Sequence, residues 1–480
     1  MPQLTTQNRQ KIVSLLQTTI SGYPRPDDVE GLGLLRREIV HALGLAGVGD
    51  ENNIFGKHIQ PGQSVVIKPN WVREDDGSWS DALITHSSLI AATVSLVQPA
   101  LQGRGTITIA DAPIQGADWE RLLAFNRINE YLEALRQPGW LPVDIIDLRM
   151  VRTRFDSLGR RTMLDETPGD PLGYCLIDLK DKSALEPISN DSSLFEVSGY
   201  DQKTTINSHA PGKHQYLISK TVLSSEVVIN MPKLKTHKKA GMTCCLKNMV
   251  GINGKKEYLP HHRRGGSGQG GDEYPGRGIY NKTERSVIEA LATMPKPVGK
   301  FILLVGVAFK RVLRTLSKVP SLKASSASRH HFDIGEGSWH GNDTIWRTVN
   351  DLNKILIFAD KNGILKPARQ RVQINLVDAI IAGEGEGPLE PAAKAVGCII
   401  AGLDAAAGDA AACWLMGYDH NKIPALRESL ADGKYPLSDV SYHDMTVSSN
   451  KPEWNDKINQ LPKSGFNFTP PKGWGGHIEG

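Results

Sequence analysis

Val227-Val228-Ile229-Asn230-Met231-Pro232-Lys233-Leu234-Lys235-Thr236-His237 decides how this chain is read. Its first residues are a short apolar, β-branched run suited to a buried strand, and Pro232 ends it because proline lacks the N–H that a central ladder needs. Lys233, Lys235, Thr236 and His237 follow at the carboxyl end, ahead of Gly241. In open α/β sheets ligands gather at that end. Lys and His donate hydrogen bonds and carry or acquire positive charge, so a site for phosphate or carboxylate is expected. A solvated basic loop behind a core strand is the alternative.

The same pattern recurs on either side. Ser64-Val65-Val66-Ile67 predicts a strand stopped at Lys68-Pro69-Asn70-Trp71, Thr85-His86 opens a helix through Val97 with Thr85 as its cap, and residues 106–110 predict the next strand, ending at Asp111. Strand, helix, strand in that order argues for a parallel, doubly wound unit. A third strand is expected at 144–148, and helices at 4–20 and 27–45. Farther along, 340–353 predicts a helix and 372–378 a strand ending in the carboxylate of Asp378. Gly383-Glu384-Gly385-Glu386-Gly387-Pro388 predicts a loop, 397–403 a strand closed by Asp404, and 405–416 an Ala-rich helix stopped by Gly417. The expected fold is α/β with parallel-sheet Rossmann-like lobes, two of them with a cleft between. The divisions are a helical preamble (1–58), a first lobe (59–150), an inserted irregular, more antiparallel region (151–216), a second lobe (217–440) and a C-terminal tail (441–480).

Composition narrows the classes. With 480 residues, 40% hydrophobic and 22% charged, the chain has the makeup of a folded globular protein with ample core. A net charge of +4 is too small for its size to indicate nucleic acid, so any basic patch is local. Five cysteines, at 175, 244, 245, 398 and 413, form no Cys-x-x-Cys pair and no zinc-finger spacing with His. No iron–sulfur cluster or structural zinc is therefore expected, and free buried thiols suggest a reducing compartment. The first ten residues have no apolar core of signal-peptide length, so the expectation is cytoplasmic residence. Triphosphate, dinucleotide and serine-hydrolase fingerprints are absent.

Two segments stand apart. The stretch at 265–271 is rich in Gly and predicts a lid or a connector. At 296–323 the apolar run 301–309 is flanked by Lys and Arg with no acid between; it is shorter than the roughly 20 residues that span a bilayer, yet suited to the surface of an anionic membrane. A core helix with a basic end is the other reading.

The candidate site follows from these placements. Lys235, His237 and His86 are the catalytic candidates, the histidines because only imidazole titrates near neutrality unaided. Lys68, Asn70, Lys233, Thr236, Lys247 and Asn248 are the substrate-binding candidates. Asp378, Glu384 and Glu386 would hold a divalent metal such as magnesium, or move protons. An enzyme acting on a small anionic molecule is favoured, as an isomerase, lyase or transferase, because pockets lined by both signs of charge commonly carry perturbed groups. The competing class is a non-catalytic peripheral membrane adaptor or binding protein using 296–323. The enzyme reading requires that the cationic tip after Asn230 and the glycine-spaced acids around position 385 face each other across one hollow.

These blocks together resemble the family called domain of unknown function 362. The likeness rests on Val66-Ile67-Lys68-Pro69-Asn70 with Thr85-His86, on Ile229 through His237 with Gly241 and Leu246-Lys247-Asn248, on Asp378-Ala379-Ile380 with Glu384 through Pro388, and on Leu403-Asp404 with Asp409 and Met416-Gly417-Tyr418-Asp419. It implies a fold and the place of a site rather than a reaction. Relatives with ferredoxin-like cysteine motifs exist, and this chain lacks those motifs. The strand–helix–strand around Val66 also resembles, as a pattern, the amino-terminal part of nickel-dependent lactate racemases, from which no nickel is carried over.

Overall fold

In a computed structural model, residues 12–75, 80–155, 161–276, 335–431 and 433–480 are described. The basic segment 296–323 lies outside them.

One sheet of eleven strands organises the molecule. Its strands are β1 (Ile12–Gln17), β2 (Ser64–Pro69), β3 (Thr106–Asp111), β4 (Val143–Asp147), β5 (Val227–Met231), β6 (Lys233–His237), β7 (Gly241–Thr243), β8 (Val372–Glu386), β9 (Glu390–Gly402), β10 (Thr446–Ser448) and β11 (Asp456–Lys457). The order is β11-β10-β1-β9-β8-β5-β2-β3-β4, with β6 beside the far end of β8 and β7 beside β6. From β8 to β4 every neighbour is parallel. Val65, Ile67, Val227 and Ile229 pack against Leu35 and Ile39 of the helix Val29–Leu45 and against Leu89, Val94 and Val97 of the helix Ser87–Leu101. On the opposite face Val66, Ala110 and Val228 meet Leu352, Ile355 and Leu356 of the helix Ile345–Phe358. Apolar runs buried on both faces are what parallel strands under helices require. The chain is a mixed α/β protein with a mostly parallel central sheet.

Register sets the site. Asn230 pairs with Lys68 and Met231 with Pro69, so the two proline-ended strands finish at one level. Thr85 ties them further, donating from Oγ1 to Met231 O at 2.6 Å and accepting from Asn70 N at 2.9 Å. The helix cap is therefore His86 rather than Thr85, its Nδ1 accepting from Ser88 N at 3.2 Å.

Several expectations change. Residues 12–17 are strand, not helix: β1 runs antiparallel to β9 and parallel to β10. Its apolar run is buried on both sides, and such a run fits a helical repeat as well as an extended one. The strand expected to end at Asp378 continues to Glu386 and folds back as β9, so the acidic Gly-Glu-Gly-Glu segment is ladder rather than loop. Ile355–Phe358, which the sequence left open between a short buried strand and the end of the preceding helix, is the end of that helix. The stretches 59–150 and 217–440, expected as separate lobes, contribute adjacent strands β2 and β5 to the same sheet. In the region expected as irregular and more antiparallel, Val151–Phe155 runs antiparallel to Arg161–Glu166 and Tyr174–Asp178 antiparallel to Lys213–Ser219, with short helical turns between Lys180 and Ser208. In the Gly-rich stretch Gly266 bridges to Tyr274, and just beyond it buried Asp272 accepts from Arg263 N at 2.5 Å and Thr344 Oγ1 at 2.6 Å.

Candidate active site

A cavity of ≈ 460 Å³ opens at the carboxyl ends of β2, β3 and β6. Five lysines line it: Lys235, Lys238, Lys239, Lys247 and Lys256. His237 and His261 join them, while Trp71, Ile114, Val197, Tyr200 and Leu389 supply an apolar wall.

The strands explain who arrives. β6 pairs through Lys235 with Gly383 of β8, and a side chain at 383 would collide with the Lys235 stem, so the acidic repeat needs glycine there. At the turn after β6, His237 Nδ1 accepts from Lys239 N at 3.1 Å and Ala240 N at 3.2 Å. With Nδ1 committed as acceptor, the neutral ring carries its proton on Nε2. Burial first, then the charge of Lys247, hold His237 well below the usual imidazole range. His261 is held down the same way. The short helix Cys245–Asn248 delivers Lys247, and Asn248 Nδ2 donates to Asn230 Oδ1 at 2.8 Å and Lys68 O at 3.1 Å.

Electrostatics separate two kinds of lysine. Lys68 is fully buried and ion-paired with Asp111 at 2.7 Å; Asp111 also accepts from Trp71 N at 2.6 Å. At Gly251 any side chain would collide with this pair, so the backbone there must stay bare. Lys233 is likewise buried, with Asp378 at 2.6 Å and Tyr23 OH at 2.7 Å. Lys235 has only a neutral partner, the carbonyl of Leu83. Lys256 donates to Ala112 O at 2.8 Å. Lys247 is half-buried and has no hydrogen bond or ion pair among the described residues. Burial, reinforced by Lys256 and Lys239, pulls its pKa down to about 7; burial takes Lys256 to about 8, and Lys235 and Lys239 are lowered too. Each ammonium raises the cost of the next, so an anion in this space is worth far more than at an ordinary surface.

The predicted residues divide accordingly. Lys235, His237, Asn70, Lys247 and Asn248 line the cavity, and Lys68 supports it through Asp111. Lys233 is spent on Asp378, and Thr236 turns away to Gly385 O at 2.8 Å. His86 does not line the cavity; it stacks on Tyr23 with centroids 3.9 Å apart, and burial holds it neutral, down to about 3. Asp378, Glu384 and Glu386 do not converge on a metal. Asp378 is taken by Lys233, Tyr23 and His86 N; Glu384 pairs with Lys394 at 2.9 Å; Glu386 reaches the cavity rim, pairing with Lys238 at 3.4 Å. The cationic tip and the acidic repeat are thus neighbouring strands, and only Glu386 shares the hollow. Sequence reasoning missed Lys239, Lys256, His261 and the wall of Trp71 and Tyr200. Lys238-Lys239 and Lys255-Lys256 stood as basic doublets that look like any solvated run.

Away from the cavity, Cys244, Cys245 and Asp409 are the one metal-capable cluster among the described residues. The thiols are 3.9 Å apart, and burial raises both of them and lifts Asp409 to about 7.

A mixed α/β sheet that gathers lysines at the carboxyl ends of proline-stopped strands defines the class. The chain belongs to the family described as Domain of unknown function (DUF362), whose sequence model matches residues 174–414, just over half of its length. Comparisons with curated proteins and with solved structures give no match, so nothing there extends the racemase-like pattern. Among the described residues no helix is long and apolar enough to cross a membrane.

Proposed function

We propose that the protein is an enzyme that binds a small phosphate- or carboxylate-bearing molecule in the cavity of Lys235, Lys239, Lys247 and Lys256, with His237 presenting Nε2–H to it. The observation that carries this reading is that these lysines lack the buried carboxylate partner that Lys68 and Lys233 each have. A folded protein keeps ammonium groups that lack a buried carboxylate together only at a cost, and a bound anion repays it. Catalysis rather than storage is favoured by Lys247 and Lys256, whose pKa values near 7 and 8 let them give or take a proton at neutral pH. The separated carboxylates lend a metal no support, so the reading does without one. The test is calorimetry with inorganic phosphate on the full chain: saturable heat that Lys235→Met or Lys256→Met weakens supports it, and a flat titration of the unaltered protein rejects it.

A further inference from the structure

We propose that Lys247 is an imine-forming nucleophile, and that the substrate class is a carbonyl compound carrying a phosphate or carboxylate. This rests on the cavity being the anion site argued above. Of the five lysines lining the cavity, four are occupied: Lys235 by Leu83 O, Lys238 by Glu386, Lys239 by Ser198 Oγ at 3.4 Å and Glu336 at 3.9 Å, and Lys256 by Ala112 O. Lys247 has neither hydrogen bond nor ion pair among the described residues, and it stands half-buried on the wall. An amine attacks only through a free lone pair, and desolvation beside other cations is the arrangement that frees one. Lys239 and Lys256 are those cations.

The chemistry balances within the site. The Nζ lone pair attacks the carbonyl carbon, the C=O π pair moves to oxygen, and one Nζ proton passes to that oxygen, giving a neutral carbinolamine. A second proton, from the Lys239 or Lys256 ammonium, lets the hydroxyl depart as water while the nitrogen lone pair closes the C=N bond as a protonated imine. No oxidant or metal is needed. The remaining lysines hold the anionic end and orient the carbonyl.

Pyridoxal 5′-phosphate is a fitting probe, since it carries an aldehyde and a phosphate. Incubation followed by borohydride reduction fixes any imine, and tryptic mass spectrometry locates it. The expected result is early label on Lys247, suppressed by inorganic phosphate, with a labelling rate half-maximal near pH 7 in keeping with a lowered amine pKa of about 7. Lys247→Arg should lose this label by at least about tenfold, because a guanidinium keeps the charge but forms no imine. Label spread over exposed lysines, label concentrated on Lys235, Lys239 or Lys256, or a rate that keeps climbing toward pH 10 overturns the imine and leaves anion binding standing. Absence of phosphate heat overturns the anion site, and the imine with it.

Discussion

Lys233 and Lys235 stand two residues apart on one strand, both fully buried, and they meet opposite fates. Lys233 is locked between Asp378 and Tyr23, whereas Lys235 faces a cavity with only a backbone carbonyl for company. The same contrast separates Lys68, held by Asp111, from Lys247 and Lys256 across the hollow. Burial alone does not mark a functional lysine. On the reading proposed above, the absence of a compensating carboxylate does, because there a ligand's charge would have something to neutralise.

The largest effect should come from breaking a compensated pair. Asp378→Ala leaves an unpaired buried ammonium and should cost roughly 3–5 kcal/mol in urea denaturation, while the double change Lys233→Met with Asp378→Leu should cost far less. Equal losses would mean that the pair is not what holds this region. Next, Lys235→Met should weaken sulfate binding by at least about tenfold, as expected for the loss of a charged hydrogen bond, without lowering the stability of the ligand-free protein; a stability loss like that of Asp378→Ala would erase the contrast.

A smaller effect is pH-dependent. Lys247 and Lys256 titrate near 7 and 8 when folded and near 10.4 when unfolded, so the unfolded chain binds more protons between those values. Stability of the ligand-free protein should therefore rise with pH from about 7 to about 10, and the rise should become shallower when both are changed to Met, the remainder coming from Lys235 and Lys239, which are lowered too. Sulfate affinity, measured by calorimetry at fixed ionic strength, should fall over the same window. Smallest of all, His86→Phe keeps an aromatic ring against Tyr23 but loses the cap on Ser88 N; a drop of about 1 kcal/mol is expected, read as a lower Tm, with sulfate binding unchanged.

Much of the fold was legible because its signals were local and agreed. β2, β3, β4 and β5 are short β-branched runs with abrupt stops, and the helix Ala405–Met416 has its cap, Asp404, accepting from Ala407 N at 3.0 Å, and its left-handed Gly417 at the end. β1 was missed because an isolated apolar run does not reveal its period. The β8–β9 ladder was missed because Gly-Glu-Gly-Glu normally signals a turn, and only contact with β6 makes glycine a strand residue there. In the candidate site, Lys235 and His237 were picked out by their place after the strand that ends at Pro232, and Lys247 as part of a second polar cluster; all three line the cavity. That Lys233 would be taken by a carboxylate 145 positions later depends on a β6–β8 pairing that no local pattern encodes.

The turn carrying His237 is covered by residues from far down the chain. Trp474 Nε1 donates to Lys238 O at 2.6 Å across 236 positions of sequence, and both Trp474 and Ile478 close over Gly241. This cap acts as a keystone: Trp474 and Ile478 are buried in one core cluster with Leu234 and Met242, so the far end of the chain clamps the turn that carries His237.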